Sequence, residues 1–144
     1  MKWSEYLATG PNRIIYHMCD VDAFNTLTAA GKLYYPPTYS QDGFIHATED
    51  PHSLIEVANY FYKTTPGKWV CLSIDQSKLR SAKVIYEKPL PVGNIEAFDH
   101  KSTGQSTPQF PHIYGGLPKD SVLRYYKIVR SEDGMFLRID GLLA

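Results

Sequence analysis

Gly43-Phe44-Ile45-His46-Ala47 followed by Thr48-Glu49-Asp50-Pro51 and the stretch from His52 to Lys63 sets a short strand directly against a helix. In an extended Gly43–Ala47, Phe44 and His46 face the same way, because side chains alternate with period two. Asp50-Pro51 is a strong helix start, an N-cap residue followed by proline at the first helical position. Leu54, Val57, Ala58 and Phe61 then fall on one apolar stripe. The helix is expected to end near Lys63, before the turn-forming Thr64-Thr65-Pro66-Gly67.

Upstream, Arg13-Ile14-Ile15-Tyr16-His17-Met18 reads as a first strand, with Ile15 and His17 on one face and Ile14 and Tyr16 on the other. Asp20 or Asp22 caps a second helix running to about Ala30, with Gly31 as its stop. Leu33-Tyr34-Tyr35 is a short extended piece ended by Pro36-Pro37, which lack backbone donors. Downstream, Trp69 to Ile74 alternates, and Lys83 to Glu87 forms another strand after a one-turn excursion at Asp75–Leu79. These two strands are expected to pair. Residues 88–109 hold three prolines and two glycines and read as a long structureless connection, a surface loop or lid. Phe110-Pro111-His112-Ile113-Tyr114-Gly115-Gly116 closes that loop. Val122 to Val129 gives the longest alternating strand, and Met135 to Ile139 a last one. Strands outnumber helices without alternating regularly with them, so the expected class is α+β, a mostly antiparallel sheet with two main helices. The expected core is 14–130, flanked by extensions 1–13 and 131–144.

A chain of 144 residues, 43% hydrophobic and 21% charged, fits one globular domain with its own core. Fifteen basic and fifteen acidic residues balance, which argues against duplex nucleic acid, whose binding needs many cations on phosphates. A single nucleotide stays open as a partner. No apolar run approaches the roughly 20 residues of a membrane span, and the first thirteen residues lack the apolar core of a secretory signal. A cytoplasmic location is expected, and the oligomeric state is left open. Cys19 and Cys71 are too few and too far apart for a zinc knuckle and read as reduced packing residues.

His17, His46 and His112 each sit among aromatic or aliphatic neighbours, in Tyr16-His17-Met18, Phe44-Ile45-His46 and Pro111-His112-Ile113. A histidine on a buried strand is costly unless its nitrogens find partners. At one cleft, several of them would supply acid, base or binding groups near neutral pH. These three are the candidate catalytic residues; taken singly, each reads equally well as a core histidine bonded to backbone. His52 and His100 read as solvated. Tyr16 and Tyr114 adjoin the histidines and offer stacking surfaces. Glu87 ends a strand beside the loop and is the candidate carboxylate, whereas Asp50 is explained as a cap. Gly115-Gly116 is either a turn or a close backbone approach to a ligand. No His-x-His or i, i+4 histidine pair occurs, so no metal centre is expected.

The motifs Tyr16-His17, Pro36-Pro37, Asp42-Gly43-Phe44-Ile45-His46, Glu87 and Phe110-Pro111-His112-Ile113-Tyr114-Gly115 together resemble the family known as domain of unknown function 952, over about residues 14–129. That resemblance implies a fold similar to the ADP-ribosyltransferases, in which a split antiparallel sheet holds a nicotinamide dinucleotide in a central cleft. It implies that His17 lies on the first core strand, His46 on the next, and that His112 enters the same cleft from a later strand. One large branch of those enzymes carries a His-Tyr-Glu triad; the third position here is His112.

The functional expectation is a histidine-lined cleft binding NAD or a nucleotide in ADP-ribosyl or phosphoryl transfer, with Tyr16, Thr48, Glu87, Tyr114 and Gly115 as ligand-binding residues. Two alternatives stand beside it. One is a small-ligand binding module without chemistry. The other is a two-histidine phosphoesterase, with His46-Ala47-Thr48 as one His-x-Thr motif and His100-Lys101-Ser102 as its counterpart.

Overall fold

A computed structural model describes residues 14–98 and 109–142. The N-terminal extension 1–13 and the tip of the long loop, including His100 and its His-x-Ser motif, lie outside the described residues. The described chain is α+β, with two antiparallel sheets and few helices.

The first sheet has four strands in the order β1 (Ile14–Asp20), β3 (Trp69–Asp75), β6 (Val122–Arg130) and β7 (Phe136–Ile139). The second has three, β2 (Ile45–His46), β5 (Phe110–Tyr114) and β4 (Lys83–Glu87). Two backbone hydrogen bonds join the free edges of β1 and β2. Tyr16 N–H donates to the Thr48 carbonyl at 2.8 Å, and Thr48 N–H returns the bond to Tyr16 at 3.0 Å.

β3 is buried along its whole length. Val70, Leu72 and Ile74 enter one core with Ile15, Phe24, Ile45, Ile113 and Leu117. Trp69 and Cys71 enter a second core with Met18, Leu54, Ala58, Ile128 and Phe136. The alternation of β3 is thus real, but both of its faces are covered. Burial on this scale is the main stabilising term, at roughly 25 cal/mol per Å² of apolar surface.

Helix α1 (Val21–Ala29) starts where expected, with the Asp20 carboxylate accepting the Asp22 N–H at 2.9 Å. The Asp50-Pro51 start is also present. It opens a 3-10 turn at Pro51–Ser53, and a longer helix, Leu54–Tyr62, continues from it. Between these two lies a helical turn that the sequence reading passed over, Tyr39–Asp42, stopped by Gly43 at φ 83°. In chain order, Tyr39–Asp42 is α2 and Leu54–Tyr62 is α3.

Two expectations need correction. β3 does not pair with β4: both edges of β3 are taken, by β1 and β6, and a 3-10 turn capped by Asp75 leads the chain to the other sheet. There β4 pairs with β5. The loop after β4 is also not wholly structureless. Val92 and Ile95 bridge each other, and Gln41 Nε2 holds the turn by donating to the Gly93 carbonyl and to Asn94 Oδ1.

Gly115 is required by the packing of β4 and β5. Its φ is 130°, and a Cβ there would lie 2.8 Å from both the Ser81 carbonyl oxygen and the Ala82 Cβ. Gly115→Ala is therefore expected to lower stability by about 2 kcal/mol, through backbone strain and overpacking together. Chemical denaturation with an unchanged midpoint would contradict this.

Candidate functional site

Where β1 and β2 meet, a pocket of about 610 Å³, its open mouth included, forms between the sheet junction, α3 and the chain after β4. Its walls are mostly apolar: Leu54, Val57 and Phe61 from α3, Leu90 and Val92 from the loop, and Phe98 and Phe110. The polar groups in the lining come from Tyr16, His17, His46, Thr48, Ser53, Tyr62 and His112, and among the described residues no lysine or arginine joins them.

His17 is 4% exposed. Its Nδ1 lies 2.6 Å from the His46 carbonyl oxygen, and a carbonyl only accepts, so Nδ1 carries the proton and Nε2 is an acceptor. That Nε2 is the single buried side-chain nitrogen or oxygen without a partner among the described residues. Burial pushes the imidazole down to about 4, with the His46 carbonyl only partly opposing the shift. His17 is therefore neutral at pH 7, and no described residue donates to its buried Nε2.

His46 stands next to it on β2. Its Nε2–H donates to Asp42 Oδ2 at 3.0 Å, and the Asp42 side chain is only 5% exposed. The same carboxylate accepts the Gly93 N–H at 3.1 and 3.2 Å. The left-handed Gly43 makes this arrangement, since it turns the chain back at the end of α2 so that Asp42 faces His46. Burial lowers the His46 pKa, while Asp42 works against the shift.

His112 faces His46 directly across the β2–β5 ladder. Phe44 stacks on its ring, with centroids 4.2 Å apart. Its Nδ1 lies 2.8 Å from Glu87 Oε1, and Tyr114 donates its hydroxyl to the same oxygen at 2.5 Å. Burial lowers the His112 pKa, with Glu87 opposing. The bonds from Tyr114 and His112 hold the Glu87 carboxyl below its usual range, and Glu87 in turn raises Tyr114 to about 12.

The family model described as a protein of unknown function (DUF952) matches residues 18–125 of this chain. The chain belongs to that family. The DUF952 chain has no match among curated proteins. Its fold is similar to the X-ray structure of a Caulobacter crescentus protein, at 20% identity and TM-score 0.58, with 86% of this chain and 93% of that one covered. A double mutant of the same protein aligns at 18% identity and TM-score 0.60, with the same coverage. Among the described residues of the DUF952 chain, no helix is long and apolar enough to cross a membrane. Nor is any set of three His, Cys, Asp or Glu side chains spaced to hold a metal ion.

Of the candidate residues, the DUF952 fold brings Tyr16, His17, His46, Thr48 and His112 to one pocket and leaves three outside its lining. Glu87 and Tyr114 sit behind His112 rather than beside the hollow. Gly115 gives its N–H to the Tyr39 hydroxyl at 3.0 Å, so its backbone serves packing. The Thr48 hydroxyl is engaged in its own turn, accepting the Asp50 N–H at 3.1 Å. Asp50 caps the helical turn through the His52 N–H, as read. Asp42 was missed. Pro36-Pro37 ahead of a segment stopped by Gly43 is the proline-first, glycine-last pattern of a helix, and that pattern would have put Asp42 at a helix end within reach of His46.

Proposed function

We propose that the pocket binds a nucleoside-type ligand, a planar ring joined to a hydroxyl-bearing sugar, and serves group transfer at the sugar's anomeric carbon. The observation that carries this reading is the buried, unpartnered Nε2 of a neutral His17 in a pocket walled by aromatic and aliphatic side chains. A ligand hydroxyl would donate to that nitrogen, and the ring would lie against Phe61, Phe98 and Phe110. NAD belongs to this ligand class, and an ADP-ribosyltransferase-like reading of the fold is supported by two antiparallel sheets that adjoin the site. The start of the helical segment is no phosphate site, because the Asp50 carboxylate already accepts the N–H there.

Calorimetric titration with NAD and with nicotinamide riboside tests the reading. Both are expected to bind, the riboside within about tenfold of NAD, since one tenfold step is only about 1.4 kcal/mol. His17→Asn keeps a donor for the His46 carbonyl and removes the Nε2 acceptor, and is expected to weaken binding about tenfold for one lost hydrogen bond. No heat from either compound at millimolar concentration, with no nicotinamide released, would sink the proposal.

A further inference from the structure

Two of the pocket histidines are built as a matched pair. His46 and His112 are direct partners across β2 and β5, so their side chains leave the same face of the sheet. Their rings meet edge-on with centroids 5.6 Å apart. Each has one nitrogen fixed by a carboxylate from a different element, His46 Nε2 by Asp42 on α2 and His112 Nδ1 by Glu87 on β4. The other nitrogens, His46 Nδ1 and His112 Nε2, make no hydrogen bond among the described residues. Both rings line the pocket, His46 with its side chain 18% exposed and His112 almost wholly buried, at 2%. A carboxylate behind an imidazole whose far nitrogen meets a ligand is the arrangement that orients a general base or acid.

We infer that His46 and His112 form an acid–base couple acting on the ligand of this pocket, with Asp42 and Glu87 as positioning residues. The inference rests on the ligand reading above and divides the labour within it: His17 holds the ligand, and the other two histidines move protons.

The step balances within the chain. The neutral imidazole takes the proton of an attacking O–H as the oxygen's electron pair bonds to the electrophilic carbon. The bond from that carbon to the leaving group breaks, its electron pair departs with the leaving group, and the imidazolium protonates it. One proton enters the couple and one leaves, so its charge is unchanged while the two rings exchange roles. A departing pyridine is neutral and needs no proton. The couple therefore fits an O- or N-glycoside whose leaving atom must be protonated, such as a purine nucleoside, better than it fits a pyridinium nucleotide.

The couple works only if it holds one proton at a time. Each protonated ring discourages protonation of the other, an effect felt at His46 from His112. Among the described residues, the facing titratable groups are Asp42 from α2, Glu87 from β4, Tyr114 from β5, Tyr16 and His17 from β1, and Tyr62 from α3. The tyrosines stay neutral in the range where the histidines titrate. His17 stays neutral until about pH 4.

Nitrogen-15 NMR titration of the full chain without ligand tests the inference. In the wild type the two rings are expected to titrate in steps separated by about one pH unit. In His112→Gln the His46 midpoint should move up by a similar amount. In Asp42→Asn it should move down, while His112 stays in place. If Asp42→Asn fails to fold, the His46→Gln and His112→Gln variants alone decide the matter. Independent titration, with the midpoint of each ring unmoved by loss of the other, overturns the couple and leaves the ligand reading intact. Coupled rings in a protein that gives no heat with any nucleoside remove the ligand reading, and with it the couple's action on that ligand, while the pairing of the two rings stands.

Discussion

Urea unfolding at pH 4 is expected to find the protein about 3 kcal/mol less stable than at pH 7 on account of His17 alone. The sign follows from the direction of the shift. His17 falls from 6.5 in the unfolded chain to about 4 in the folded one, so below pH 6.5 the unfolded state binds a proton that the folded state refuses. Stability is full above the unfolded value, falls as pH drops through 6.5, and levels off below about 4. His17→Asn removes this group and should reduce the slope of the stability curve between those limits, leaving the smaller contributions of His46 and His112. An Asn variant with the wild-type slope would show that His17 is not the source.

Arg130→Ala is expected to cost about 3 kcal/mol, because one planar guanidinium ties three segments together. Its Nη1 donates to the carbonyls of Thr65 and Gly67 at 2.8 and 3.1 Å. Nη2 donates to Lys63 at 3.1 Å, and both Nη2 and Nε reach Gly134, at 3.0 and 3.2 Å. The cation also lies 4.2 Å over the Phe136 ring. The Lys63 and Thr65 carbonyls follow the end of α3, where a positive charge is favourable, and α3 forms one wall of the pocket. Loss of Arg130 should therefore loosen that wall as well as lower the urea midpoint. Arg130→Lys keeps the charge but not the fork, so it should recover only a small part of the loss. Full recovery by lysine would reduce the effect to simple charge.

Local signals predicted local structure well. The caps at Asp20 and Asp50 act through short bonds to the residue two further on, and such signals are written in adjacent residues. The alternation of Trp69–Ile74 also reported a strand correctly. It carried no information about partners, because pairing depends on which edges remain free once β1 and β6 have docked. The pocket histidines were legible because a polar ring among apolar residues stands out at each position. Their division into a binding group and a carboxylate-backed pair was not. Asp42 acts through a four-residue helical turn too short to leave a periodic pattern, and Glu87 reaches His112 from 25 residues away.

The strand that carries His46 is only two residues long, and what places its ring beside His112 is parity. Side chains on neighbouring positions of an extended chain point to opposite faces. Removing or adding one residue between Gly43 and His46 would turn the imidazole to the far side of the sheet, with every atom of the site still present. This segment can thus accept exchanges of one side chain for another while refusing any change in its count, a constraint on length rather than on chemistry.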